Sequence, residues 1–294
     1  MITLNGQWKM KQVKEKEWHQ GTVPGTVYTD LLTQGLIVDP YVGENEDEVR
    51  DLSYNDYLYE REFLISKEVL NNERNLLICK GIDTIADLLV NGKQIGSCEN
   101  MHREYEFDLT GFLKEGVNRI RVYFHSPMKY MQKLYEKKPL WGVTSTVPGY
   151  QYIRKAHCMF GWDWGPQLPD MGIWRDIFID SYEKAELSDL HIRQEHIDGK
   201  VFLSAETKVM LPEKAQDGEI AEAEYLVLPQ NAESNARILK ESVGNNDSTL
   251  AENADNLEVK ITLQTPDGKQ ISFLDGKCLV EDPKLWWPNG YGAQ

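Results

Sequence analysis

From Tyr59 to Ser66 the sequence YEREFLIS alternates polar and apolar residues, the period-two signature of a half-buried strand. Asn75–Cys79 is a short apolar run. Ala86–Val90, the pair Asn91-Gly92 and Lys93–Gly96 then read as strand, type I′ turn and strand. Tyr105–Leu109 and Val117–His125 continue the series, parted by a turn at Glu115-Gly116. Strands at these intervals, with few helices between them, predict an all-β sandwich. Two helical patches interrupt it. Val27, Leu31, Leu32 and Leu36 form an apolar stripe behind the breaker Pro24-Gly25, predicting a helix over Val27–Leu36. Pro127–Lys138 opens with a proline suited to a first helical turn.

Past Glu183 the strand pattern resumes at Asp189–Arg193, Lys200–Thr207, Ala223–Leu228, Asn256–Leu263 and Gln270–Leu274. Between them Pro229–Asp255 is polar and aperiodic, which predicts a mobile loop near 229–255 inside a second, smaller β-sandwich. The expected division is therefore 1–183 and 184–294. The sequence closes on LWWPNGYGAQ, and Trp286 and Trp287 need a surface to pack against. The second sandwich is thus expected to be incomplete at its C-terminal end. Its open edge is expected to favour a homo-oligomer.

Composition narrows the function classes. The 294 residues carry 32 Lys+Arg against 47 Asp+Glu, a net charge of −15, which leaves no footprint for phosphate-driven nucleic-acid binding. No run approaches the ~18 apolar residues of a spanning helix, so no membrane partner is expected. The first residues lack the apolar region of a secretory signal. The four cysteines form no CxxC pair and no disulfide framework. These features predict a cytoplasmic protein, with Cys79 as a small buried hydrophobe. GxGxxG, P-loop, HExxH and GxSxG motifs are all missing, and His191 and His196 do not have zinc spacing. Neither cofactor nor metal is expected.

The segment Phe160–Trp174, FGWDWGPQLPDMGIW, carries the candidate chemistry. Three of the eight tryptophans fall between Trp162 and Trp174, and Asp163 stands between Trp162 and Trp164 ahead of a Gly165-Pro166 turn. Aromatic faces stack on sugar rings, and a carboxylate accepts charge-assisted hydrogen bonds from hydroxyls. A purely structural reading instead makes Trp162 and Trp164 core or corner tryptophans and Asp163 a turn cap. Val23–Val27 with Gly43–Glu46 reads either as a polar loop near a site or as turn punctuation and a solvated acidic loop. His102, in Asn100-Met101-His102, reads as a hydrogen-bonded structural histidine. A retaining glycosidase needs two carboxyls about 5–5.5 Å apart. Asp163 and Asp170 are candidates for such a pair only by their proximity in sequence, so no catalytic residue is assigned.

Taken in order, these segments resemble the N-terminal part of glycoside hydrolase family 2, and within it the β-mannosidase branch. The resemblance is carried by Trp8, VPGTV at Val23–Val27, GLIVDPYVGENE at Gly35–Glu46, Tyr57–Phe63 and GIDTIADLLVNG at Gly81–Gly92. It continues through Asn100-Met101-His102, RKAHCMFGWDWGP at Arg154–Pro166, GIW at Gly172–Trp174 and LWWPNGYG at Leu285–Gly292. It implies a jelly-roll, galactose-binding-like β-sandwich and then an immunoglobulin-like β-sandwich. A catalytic barrel carrying both catalytic glutamates would come next, outside these residues. By that match Asp163 would hydrogen-bond sugar hydroxyls, Trp162 and Trp164 would wall the pocket, and Arg154 and Lys155 would lead into the loop. The implied partners are a β-mannoside and the parent's own barrel. Other family 2 specificities, of β-galactosidase or exo-glucosaminidase type, and a stand-alone carbohydrate-binding module are the competing readings. The chain departs from the family pattern after the acidic stretch near Glu48, where relatives carry a tryptophan and this chain has Val49-Arg50-Asp51.

Overall fold

Alternation along the chain becomes two-faced strands. In the computed structural model, which describes residues 1–182, 186–211, 224–227, 261–264, 268, 270–273, 277–281 and 283, the chain divides into two units, Met1–Glu183 and Lys184–Gln294. The first unit contains β1 (Ile2–Thr3), β2 (Gly6–Gln12), β3 (His19–Val23), β4 (Tyr57–Ile65), β5 (Arg74–Cys79) and β6 (Ile82–Asp83). It continues with β7 (Ala86–Val90), β8 (Lys93–Cys98), β9 (Tyr105–Asp108), β10 (Gly116–Phe124), β11 (Gly172–Ile173) and β12 (Ile177–Tyr182). Its helices are α1 (Val27–Thr33), α2 (Asn45–Asp51), α3 (Lys67–Leu70) and α4 (Pro127–Lys137).

These strands form a jelly roll of two principal antiparallel sheets, ordered β1-β12-β5-β9 and β3-β2-β4-β10-β7-β8. The register of β4 against β10 sets Tyr59 opposite Val122, and Glu60 and Glu62 opposite Arg121 and Arg119. The apolar partners are buried, while the charged ones pair on the outer face at 2.6 and 2.7 Å. The Arg119–Glu62 pair is exposed and contributes little stability, and the inward apolar face carries the fold. Tyr59, Leu88, Val122 and Phe124 from the larger sheet meet Leu77, Cys79 and Ile179 from the smaller in one core. The Asn91-Gly92 turn joins β7 and β8 with φ of 50° and 83°, as a type I′ hairpin requires.

A second, smaller core lies beside this one and matters for the site. Met128 and Met131 of α4 pack with Val147, Ile153 and Phe160, giving the long connection after α4 its own apolar floor. α4 starts where the sequence predicts, with Pro127 in its first turn and the Ser126 hydroxyl accepting from the Lys129 amide at 3.1 Å.

In the second unit β13 (Glu186–Ile197) and β14 (Lys200–Leu211) form a hairpin turned by Asp198-Gly199, both at positive φ. β14 also pairs with β15 (Glu224–Val227) and β18 (Lys277–Val280), while β16 (Thr262–Gln264) pairs with β17 (Gln270–Ser272). This unit is the immunoglobulin-like β-sandwich. The expected loop near 229–255 and the Trp286-Trp287 end lie outside the described residues. β13 and β14 run longer than the expected Asp189–Arg193 and Lys200–Thr207, because the Asp-Gly turn carries pairing right up to Ile197 and Lys200. The solvated acidic loop expected from Gly43 onward is instead α2, which begins at Asn45.

Candidate functional site

The segment from Phe160 to Gln167 is a closed turn on a rigid base. Phe160 and Gln167 form an antiparallel bridge, and Trp162 and Gly165 exchange backbone hydrogen bonds at 3.2 and 3.4 Å. Phe160 is buried in the small core, and its carbonyl accepts from the Val147 amide at 2.9 Å. Gly161, at φ 89°, lies so close to Gln167 that a Cβ would sit 2.5 Å from its Cγ. Gln167 is the clamp. Its backbone amide donates to Glu46 Oε1 at 2.6 Å, its side-chain amide donates to the Ser145 carbonyl at 3.1 Å, and its Oε1 accepts from Arg50 at 3.0 Å. Glu46 and Arg50 both belong to α2. One acidic and one basic residue of that helix therefore brace the turn.

At the tip the side chains face solvent. Trp164 is 80 % exposed and Trp162 42 %, with ring centroids 5.5 Å apart and planes tilted by 53°. These exposures exclude core or corner tryptophans. The Asp163 carboxylate is exposed and takes no hydrogen bond or ion pair among the described residues, so it does not cap its own turn. An open carboxylate on a turn that also exposes two indoles can accept hydrogen bonds from hydroxyls while an apolar ring face rests on tryptophan.

The other residues singled out from the sequence separate from this tip. Arg154 is exposed on a shallow cleft of about 420 Å³ with Ser97, Glu99, Asn100, Arg103 and Tyr105, and its guanidinium has no partner among the described residues. Its backbone bridges Asn100 and accepts from the Met101 amide at 3.0 Å. Lys155 is buried and donates to Asp83 Oδ2, whose other oxygen accepts from Thr84. It is a structural ion pair. Trp174 is half-buried, under the Arg175 guanidinium at 4.2 Å and against Gly81. His102 is exposed; it is its backbone amide that is tied, donating to Asn100 Oδ1 at 2.9 Å.

Asp170 does not pair with Asp163. It is buried, and its oxygens accept from the backbone amides of Tyr28, at 3.1 and 3.2 Å, and Met171, at 2.7 Å. Burial pushes its carboxyl up to about 7, against the pull of those amides, of Thr26 and of Lys155. The VPGT segment lies on the same seam. Gly25 and Val27 donate to the carbonyls of Ile173 and Met171, and a Cβ on Gly172 would sit 2.4 Å from the Gly25 carbonyl oxygen. That motif is a packing device. A cleft of about 470 Å³ lined by Gln12, Glu17, His19, Leu36 and Tyr57 contains none of the residues selected from the sequence as site candidates.

Fold and site together define a jelly-roll module that presents a tryptophan-flanked carboxylate on a braced turn, with an immunoglobulin-like sandwich after it in the chain. The chain belongs to glycoside hydrolase family 2, since residues 8–175 match its glycosyl hydrolase 2 galactose-binding domain-like family. It is 34 % identical over 195 residues to the β-mannosidase of Bos taurus, covering 64 % of this chain and 22 % of that protein. A probable β-mannosidase of Caenorhabditis elegans is 27 % identical over the whole chain, which spans 31 % of that protein. The crystal structure of a β-D-mannosidase from Dictyoglomus thermophilum superposes with a TM-score of 0.73 at 29 % identity, over 99 % of this chain and 32 % of that one. An exo-chitosanase of Amycolatopsis orientalis shares the fold, with a TM-score of 0.62 at 16 % identity over 99 % of this chain and 30 % of that one. The chain thus spans under a third of the length of these relatives.

Proposed function

We propose that these residues are the N-terminal, non-catalytic part of a retaining exo-β-mannosidase, and that the Trp162–Gly165 turn forms part of the site for the terminal mannose. The observation that carries this is the Asp163 carboxylate, exposed and free of partners among the described residues, beside the exposed indoles of its chain neighbours Trp162 and Trp164 on a turn braced from α2 and from Ser145. In this reading Asp163 accepts hydrogen bonds from sugar hydroxyls and Trp162 and Trp164 wall the ring. Both catalytic glutamates come from a barrel later in the polypeptide. The likeness to proteins named β-mannosidase along the chain supports the choice of sugar. A fixed anchor of this kind lowers the barrier by holding the substrate in place, without itself making or breaking a bond.

Two measurements test the reading. In the longer polypeptide, Asp163→Ala should lower kcat/KM for an aryl β-mannoside by roughly ten- to a few hundredfold, the range expected for hydrogen bonds to a charged group. The melting temperature should stay unchanged. Unchanged kcat/KM would leave Asp163 an ordinary turn residue. The 294-residue chain alone should not hydrolyse the same substrate, and measurable turnover by the pure chain would overturn the assignment of catalysis to the barrel. Arg154→Ala, measured alongside, tests whether its free guanidinium also reaches the substrate.

A further inference from the structure

Trp141 belongs to none of the motifs that define the site, yet it is 92 % exposed, more than either tryptophan of the turn. Its backbone is held in place. The Gln151 side-chain amide donates to the Trp141 carbonyl at 2.9 Å, and the Tyr152 hydroxyl donates to the Lys138 carbonyl. The next residue, Gly142, is what lets Gln151 approach, for a Cβ there would lie 2.4 Å from its Nε2.

The supports are shared with the turn. Tyr150, in the same short 3-10 segment as Gln151 and Tyr152, has its ring 6.4 Å from Phe160, at the base of the turn. Further along the segment that carries Trp141, Ser145 accepts from Gln167 and Val147 donates to Phe160. Only about 14 Å of chain, at full extension, parts Trp141 from Ser145. Because the backbone is already held, a ligand stacking on the indole has only its two side-chain torsions to fix. Its neighbours along the chain, Lys137, Lys138, Pro139 and Thr144, are exposed with it.

We propose that Trp141 is the stacking platform for the second sugar ring of a β-mannoside, the ring on the leaving-group side of the scissile bond, while the terminal ring is held at the Trp162–Gly165 turn. This rests on the β-mannosidase reading above and assigns that site its preference for oligosaccharides. Nothing is transferred to or from Trp141; it positions the leaving group.

The test compares two substrates in the longer polypeptide. β-1,4-Mannotriose places a second ring beyond the scissile bond, and β-D-mannosyl fluoride places a single atom there. In Trp141→Ala the ratio of kcat/KM for mannotriose to that for the fluoride should fall about five- to tenfold, chiefly through KM. Trp141→Tyr, which keeps an aromatic face, should restore most of it. An unchanged ratio overturns the proposal. So does an equal loss on both substrates with a lowered melting temperature, which would make Trp141 a contact to the rest of the polypeptide. If the unsubstituted protein hydrolyses neither substrate, the β-mannosidase reading itself falls, and this assignment with it.

Discussion

The glycines of the turn show how narrowly single positions are specified. Gly161 holds φ 89° with Gln167 pressed against it, whereas the nearest neighbour of a Cβ on Gly165 would be 3.8 Å away. Gly161→Ala should therefore cost about 2 kcal/mol or more, and Gly165→Ala no more than about 0.5 kcal/mol, by urea unfolding. Equal costs would contradict the geometry. Gly172 is stricter still, because a Cβ would meet the Gly25 carbonyl oxygen and Thr26 Cα, backbone atoms that cannot turn aside. The buried carboxylates set the pH response. Burial raises Asp170 to about 7 and Asp30 to about 6, so between pH 4 and 7 the folded protein holds protons that the unfolded chain has released. The stability these two groups contribute is full below about pH 4 and is lost as pH rises through about 6 and 7. Asp170→Asn keeps an acceptor for the amides of Tyr28 and Met171 and cannot ionise. It should lose less melting temperature between pH 5 and pH 8 than the natural protein, and an identical loss would mean Asp170 titrates as an ordinary carboxyl.

Among the elements, α2 is the one whose role was hidden. Its run NEDEVRD has a single buried residue, Val49, so no apolar stripe announces a helix. The helix is held to the fold by side chains, Glu46 and Arg50, that reach Gln167 from far along the chain. Gln167→Ala removes the Ser145 and Arg50 contacts while leaving the hydrophobic floor intact. Amide exchange at Trp162 and Gly165 should rise at least about tenfold in that variant, with only a small change in global stability. Unchanged exchange would show that the paired backbone bonds of the turn suffice without the clamp. The β13–β14 hairpin marks a different oversight. Asp198-Gly199 is as strong a hairpin signal as Asn91-Gly92, but β13 beside it is exposed along its described residues and lacks an inward face, while β14 buries Val201, Ala205 and Thr207.

At the scale of the molecule, the principal core draws on residues from Leu4 to Ile179 and closes within the first unit. Residues 1–183 produced alone should therefore unfold in one cooperative transition and give dispersed amide spectra. A molten, non-cooperative product would show that the first unit depends on the second for its folding. The site sits on the small core beside α4, away from the centre of the sandwich, so loop substitutions at the turn should alter sugar contact more than folding.

The hydrophobic pattern by itself determined the all-β class, the Asn91-Gly92 hairpin, the strands around Tyr59 and Val122, and the helices α1, which stops at Thr33 short of the expected Leu36, and α4. Each of these arises from local periodicity and turn chemistry, which a short window of sequence contains. Composition and the FGWDWGP segment likewise marked where exposed aromatics and a carboxylate meet. Tertiary structure alone decided the rest. It set Lys155 against Asp83 and Asp170 against the Tyr28 amide of α1, left Arg154 on another cleft, and brought Glu46, Arg50 and Ser145 onto Gln167. Those partners lie far apart along the chain, and no local pattern encodes a pairing that only closure of the sandwich brings within hydrogen-bond distance. The exposure of Trp141 belongs with them, since a tryptophan reads as core until the fold shows which side of it is left to water.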